Sequence, residues 1–383
     1  MKTPLAWLQL SREKIRLLIA VAGISFADIL MFMQLGFKTA LLNSAVRIHD
    51  KIEGDVFLIS TQSNAITSMK SFSSRRLYEA MAVEGVDWVN PLYLSFATWK
   101  NPVNNKGRRI LTIGFNPKNP VFKLPDFEKN LDKLKLPDHV LFDTASRAEF
   151  GPIPQMFQSG MTVKTEVNDR RITVAGLFTI GATFGADGNI ITSDLNFLRL
   201  FPNRDKGLIE VGVIKLKPGV DTQAVINTLK QKLSGGDVLV LSREEFVNHE
   251  KKYWETSTAI GFVFNLGTIM GLIVGIVIVY QILYTDVADH LPEYATLKAM
   301  GYTDNYLLGL VFQQAVILAC IGFLPGLGFS TFLYHITAKA TRLAIYMNKS
   351  LITSVFLLTL FMCFFSGAIA VNKLKQADPA DIF

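Results

Sequence analysis

The chain has 383 residues, half of them hydrophobic, with 28 Phe and 19% charged residues. A soluble domain carries about 25% charged residues, so this composition excludes a disordered chain and points away from a wholly soluble one. The formal net charge is +7, yet residues 44–257 hold 28 Lys and Arg against 24 Asp and Glu, too even a mixture for a nucleic-acid-binding stripe.

Residues 1–16 read as a cytoplasmic interfacial helix, with Thr3 as N-cap, Pro4 at the first helical position and Trp7 at headgroup depth. A plain continuation of the first membrane helix is the alternative. Lys2, Arg12, Lys14 and Arg16 against Glu13 place this end in the cytoplasm. The apolar run 17–37 is broken only by Ser25, Asp28 and Gln34 and predicts a transmembrane helix over 17–42. Its apolar core exceeds that of a signal peptide and no A-x-A site follows, so an uncleaved helix is expected. Asp28 lies halfway through it, where an ionisable group must face protein or water. It is either protonated or hydrogen-bonded to a polar group of another span, such as Asn265 or Gln313.

Residues 43–257 predict a periplasmic α+β domain: a βαβ-like core from both ends of the segment, with a β-rich insertion over about 110–200. Strands are expected at 55–60, 92–99, 109–115, 208–217 and 238–241, helices at 73–81 and 222–233, and a hairpin at 161–166 and 171–179 around Asn168-Asp169. Ser242 and Glu245 form a capping box for a helix through Trp254, expected to run on into the second span as a rigid stalk. Both cysteines, Cys320 and Cys363, lie in apolar runs, so this domain has no disulfide framework.

Residues 256–285, 305–338 and 350–372 contain no Asp, Glu, Lys or Arg and predict membrane helices at 258–285, 307–333 and 351–372. The order implies a cytoplasmic loop at 286–306, a periplasmic loop at 334–350 and a cytoplasmic tail at 373–383. The loop 334–350, with Lys339, Arg342 and Lys349, is more basic than 286–304. The N-terminal bias sets the orientation nonetheless, because the first helix usually dominates. Gly267, Gly271 and Gly275 repeat every four residues on the second span. They permit close approach either of a second copy in a homodimer or of another span of the same chain.

No P-loop, nucleophile elbow or zinc motif is present; in His249-Glu250-Lys251-Lys252-Tyr253 a tyrosine stands where a second histidine ligand would be needed. Neither a catalytic residue nor a metal site is expected. The informative segment is 286–304. Pro292 suits a helix start, Glu293 the first turn, Lys298 the last turn and Gly301 a left-handed C-cap, giving a helix of about nine residues between two spans. Leu291, Leu297 and Met300 offer apolar contacts, and Glu293 a carboxylate for a partner arginine. From the residues alone it is either an ordinary amphipathic loop helix or a docking element for a cytoplasmic partner.

The stretch 293–301 (EYATLKAMG) resembles the E-[IFY]-A-x-L-[KR]-A-x-G coupling helix of FtsX-like permeases of the MacB type. The order of elements and the tail Asp378-Pro379-Ala380-Asp381 resemble that family too. The segments 4–10 and 26–36 are similar to the start of the DevC-type exporter permeases of cyanobacteria. The resemblance implies an α-helical membrane protein with four transmembrane helices plus an α+β periplasmic domain inserted between helices 1 and 2, a MacB-like type VII ABC permease of the bacterial inner membrane. It implies a homodimer and a coupling helix made of Leu291, Glu293, Leu297, Lys298, Met300 and Gly301. MacB carries its ATPase on the same polypeptide and this sequence does not. A separate DevA-like ATPase would therefore hold ATP and Mg, with no cofactor on this chain. The other partners implied are a DevB-like membrane-fusion protein, a TolC-like outer-membrane duct reached indirectly, and the lipid membrane. The spans would relay ATP-driven motion to the periplasmic domain for export of a glycolipid-like cargo. The competing readings are an FtsX-like permease that activates cell-wall hydrolases, a lipoprotein-releasing permease, and a sensor receptor, which would need an output module not seen here.

Overall fold

The structure, a computed structural model, describes residues 5–125, 127–341 and 345–375. Lys2, Thr3, Pro4, Arg342 and the tail 378–381 lie outside the described residues. The helices are α1 (Leu5–Arg12), α2 (Lys14–Ala45), α3 (Arg75–Met81), α4 (Leu131–Leu134), α5 (Ile153–Gln158), α6 (Asp194–Leu200), α7 (Thr222–Lys232), α8 (Arg243–Thr256), α9 (Ala259–Asp289), α10 (Leu291–Ala299), α11 (Asp304–Thr341) and α12 (Lys349–Lys375). The strands are β1 (Val56–Ser60), β2 (Phe72–Ser73), β3 (Val86–Lys100), β4 (Gly107–Phe115), β5 (His139–Asp143), β6 (Lys164–Val167), β7 (Arg170–Phe178), β8 (Asn189–Ser193), β9 (Leu208–Ile209), β10 (Val211–Leu216) and β11 (Val238–Ser242). They divide into two compact units, Met1–Ala40 with Ala259–Phe383, and Leu41–Thr258.

In the first unit α2, α9, α11 and α12 are each long and apolar enough to cross a membrane. Much of the loop expected at 334–350 is helical, because α11 runs on to Thr341. Lys339 ends the apolar run there, but no Gly or Pro between Tyr334 and Thr341 interrupts the backbone. The glycine stripe of α9 is turned onto the chain's own helices. A Cβ at Gly267 would strike the Gln34 side chain, one at Gly271 would lie 3.4 Å from Leu30 Cβ, and one at Gly275 2.9 Å from Ala27 Cβ and against Met362. The homodimer reading of Gly267, Gly271 and Gly275 is thereby corrected. Small residues go where backbones come closest, and here that is against α2 and α12 of the same chain. The opposite face of α9, with Phe262, Leu266, Ile269 and Ile273, is exposed.

The second unit is built on a nine-stranded sheet in the order β11-β1-β10-β3-β4-β8-β5-β7-β6. β1 lies between β10 and β11, antiparallel to both, and β10 is antiparallel to β3. The connections β1-α3-β3 and β10-α7-β11 are therefore two split βαβ units, a ferredoxin-like core rather than simple parallel βαβ pairs. β1 is buried on both faces: Val56 and Leu58 meet Leu77, Ala80 and Ile226 of α3 and α7, while Phe57 and Ile59 meet the Phe246 side of α8. That explains its run of four consecutive apolar residues, VFLI. The insertion closes on itself, since Trp99 pairs with Val167 and brings β6 back to β3. Its hairpin turns on Asn168 and Asp169, at φ 48° and 59°, the conformation a two-residue type I′ turn demands.

Ser242 and Glu245 make the reciprocal cap of α8. The helix nevertheless stops at Thr256 and α9 begins at Ala259, so the expected unbroken stalk is corrected. The hydroxyls of Thr256 and Thr258 donate back to the Lys252 and Trp254 carbonyls, a local bonding that competes with helix propagation. Within α8, Glu250 is buried and accepts from the Ile66 N–H at 2.7 Å and the Trp254 indole N–H at 2.8 Å. Burial pushes its carboxyl up to about 7 against the pull of those bonds. His49, equally buried 3.5 Å away, is pushed down to about 3 by burial and then by His249.

Two outcomes follow from these packings. With Cys320 and Cys363 replaced by Ser, Leu30→Cys with Gly271→Cys should oxidise within one chain, since disulfide Cβ atoms lie about 3.5–4.5 Å apart. Fragments cut within the second unit then stay joined until reduced, and a covalent dimer instead would contradict the packing. The second outcome concerns acid stability. Folded Glu250 holds a proton that the unfolded chain loses between pH 4.5 and about 7, so its contribution falls as pH rises through that window. Folded His49 lacks a proton that the unfolded chain gains below pH 6.5, so its contribution falls as pH drops towards about 3. The slopes oppose each other where they overlap. Glu250→Gln removes the first, so its melting temperature should fall more steeply on acidification from pH 6.5 than that of the wild type; equal slopes would refute the assignment.

Candidate functional site

The segment between α9 and α11 is defined at both ends. Pro292 occupies the first turn of α10, and His290 Nδ1 sits 2.9 Å from the Asp286 carbonyl just before it. At the other end Gly301 adopts φ 92°. Its N–H reaches the Lys298 carbonyl at 2.9 Å and the Tyr302 N–H reaches Leu297 at 3.1 Å, the paired bonds of a Schellman motif. The helix of nine residues thus starts and stops on local chemistry.

Its orientation is set by packing. Tyr294 and Ala295 are buried, and Leu291 and Leu297 pack beside them onto Ala6, Val287, Leu310, Val311 and Val371. The expectation that Leu291 and Leu297 face a partner is corrected. Both flank Tyr294 on the inward side, because burying the largest ring on the bundle rotates its three- and four-residue neighbours with it. The outward face holds Pro292, Glu293, Thr296 and Met300, with Met300 63% exposed. Tyr302 and Tyr306 meet just beyond, their rings tilted by 37° with centroids 4.7 Å apart. Lys298 is half-buried at the edge of the inward face.

A polar knot underlies this helix, and sequence reasoning missed it. Gln314 of α11, fully buried, donates to Asp286 Oδ2 of α9 at 2.9 Å and to Gln9 Oε1 of α1 at 3.2 Å. Arg16 of α2 bonds Asp289 at 2.5 Å and Glu13 at 2.7 Å, with Asp286 at 4.0 Å. Burial, with Asp286 and Glu293 nearby, pushes the Tyr294 phenol well above its ordinary range and keeps it protonated. The signal that could have found the knot is modest: Asp286, Asp289 and His290 share one helix face where a charge-free run ends, and Gln314 interrupts the next run.

Asp28 is fully buried and accepts from the Thr359 hydroxyl of α12 at 2.6 Å. A Cβ at Gly326 would lie 2.9 Å from Asp28 Cβ, so α11 closes over it. The expected partners are corrected, since Asn265 accepts from Lys38 at 3.1 Å and Gln313 is exposed. Asp28, the glycine stripe and α10 do not converge on one site. Among the described residues no group of three or more His, Cys, Asp and Glu side chains could hold a metal ion.

These features define a polytopic membrane protein with an α+β domain inserted after its first span and a capped, bundle-anchored helix between its second and third. Residues 265–379, 115 of the 383, match the family model of the FtsX-like permease C-terminal region. The periplasmic region of MacB from Actinobacillus actinomycetemcomitans is similar at 12% identity and a TM-score of 0.34, covering 51% of this chain and 92% of that one. The extracellular domain of the ABC-type transporter YknZ from Gram-positive bacteria is similar at 12% identity and a TM-score of 0.32, covering 49% and 99%. A domain of a permease protein from Porphyromonas gingivalis is similar at 15% and 0.31, covering 50% and 87%. The chain matches no curated protein sequence.

Removing the Tyr294 ring should free α10 without unfolding the bundle. A buried aromatic truncated to alanine costs about 3 kcal/mol, so Tyr294→Ala should speed tryptic cleavage after Lys298 at least about tenfold. An unchanged cleavage rate would show that the ring does not anchor the helix.

Proposed function

We propose that this chain is the membrane-spanning subunit of an ABC-type exporter of the inner membrane, related to the DevC type and working as a homodimer. A separate ATPase chain holds ATP and Mg and docks on α10. The observation that carries the reading is the two-sided character of α10, with Tyr294 and Leu297 sunk into the bundle and Glu293, Thr296 and Met300 turned outward. A rigid helix with one face bonded to the bundle and the other open passes a push into it, because α1, α9 and α11 share the Gln314 knot. The match of residues 265–379 to the FtsX-like permease C-terminal region supports the same reading.

Glu293 offers a carboxylate to an arginine of the ATPase. Burying Met300 contributes about 2 kcal/mol to docking, at roughly 25 cal/mol per Å² of apolar surface. The inserted domain, in the periplasm, engages a membrane-fusion protein that leads to an outer-membrane duct, and the cargo is glycolipid-like. Met300→Asp should then weaken capture of the ATPase at least about tenfold while the melting temperature holds, because its side chain is exposed. Leu297→Asp, at a half-buried position packed on the bundle, should instead lower the melting temperature. Undiminished ATPase capture by Met300→Asp would overturn the docking face.

A further inference from the structure

The inserted domain carries a groove of about 380 Å³ lined by Thr67, Phe96, Arg109, Phe184, Asp187 and Trp254. Ligand sites run from about 300 to 1,000 Å³. Its walls come from several separate elements. Phe96 and Arg109 stand on the paired strands β3 and β4, Phe184 at the tip of the tight turn Thr183–Ala186, and Trp254 in the last turn of α8. Phe184 is 46% exposed and meets Trp254 edge-to-face at 5.2 Å between centroids. The Trp254 ring is itself fixed by its bond to Glu250. At Gly185 an added Cβ would lie 2.6 Å from Thr67 Cγ2, so the rim is packed to its limit there.

Asp187 lines this groove but is already neutralised by arginines outside it. Asp187 is held by Arg108 at 2.7 Å and by Arg147 at 2.6 Å, and Arg108 also reaches Glu149 at 3.3 Å. Two arginines thus face two carboxylates and cancel. Arg109 remains, its guanidinium 4.3 Å from the Phe96 ring centroid and, among the described residues, without a hydrogen bond or ion pair. A guanidinium stacked on a ring keeps its in-plane N–H groups free, and those match an acid group two at a time. The adjoining surface of Phe184 and Trp254 is apolar and open.

We propose that this groove binds a small anionic amphiphile, its acid group on Arg109 and its apolar body against Phe184 and Trp254. The inference stands independently of the coupling role of α10, since it uses residues of the inserted domain alone. The test is a titration of the full chain in lipid nanodiscs with octyl phosphate, followed by tryptophan fluorescence and corrected with the Trp254→Phe protein and with empty nanodiscs. Saturable binding is expected, with n-octanol and inorganic phosphate each at least about tenfold weaker. Arg109→Gln should weaken octyl phosphate at least about tenfold, the loss typical of a hydrogen bond to a charged group, and Phe184→Ala should weaken it too. Octanol bound as tightly as octyl phosphate, an Arg109→Gln protein that binds as wild type does, or no saturable Trp254-dependent signal would each overturn the proposal. The comparison of ligands on the wild-type chain holds even if a variant fails to fold.

Discussion

A buried amide that keeps both of its N–H bonds inside the protein ties together the α10 end of the helical unit. Gln314 sits without solvent contact and gives its N–H groups to Asp286 and Gln9, so three segments far apart in sequence meet at one side chain. Burying such a group unpaired costs free energy, and a buried carboxylate stripped of its donor costs more. None of α1, α9 or α11 can leave the knot without stranding a partner. The helix α10 begins five residues beyond Asp286 and sinks Tyr294 onto the same region, so its position follows from the knot. A load on its outer face would pass into a packed interior of low compressibility.

The inserted domain obtains its order differently. Its central strand is apolar on both faces, and the helices of the two split βαβ units cover one side while Phe246 and its neighbours cover the other. Two titratable groups of this core are held close to neutral. Glu250, raised to about 7, and His49, lowered to about 3, lie side by side with neither carrying a full charge near neutrality. Through its bond to Trp254 the same Glu250 sets one wall of the Arg109 groove. A core group thereby shapes a surface feature.

What could be read in advance was whatever local chemistry decides. The bounds of α10 were legible because Pro292 and Gly301 act through their own φ angles, and the hairpin over 164–178 because Asn168-Asp169 favours a type I′ turn. The face that α10 buries was not legible, since Leu291, Tyr294, Leu297 and Met300 are all apolar enough to point inward and only the surrounding helices choose. The same holds for Gly267, Gly271 and Gly275, whose spacing announces close packing without naming the neighbour. The strands β5 and β8 went unseen because each is a short apolar run whose parallel partner lies far along the chain. Asp286 stands just past one charge-free run and Gln314 inside the next, and their meaning appears only when they are 2.9 Å apart.

Hydrogen exchange over residues 291–302, measured on the full chain alone and then with the proposed ATPase partner and a non-hydrolysable nucleotide, tests the central claim most directly. Slow exchange from Tyr294 onward is expected in the free protein, because the helix is capped and anchored, with a further slowing confined to the outward amides of Glu293, Thr296 and Met300 when the proposed ATPase binds. Fast exchange in the free protein, or protection by the ATPase that falls elsewhere and leaves this helix unchanged, would contradict it.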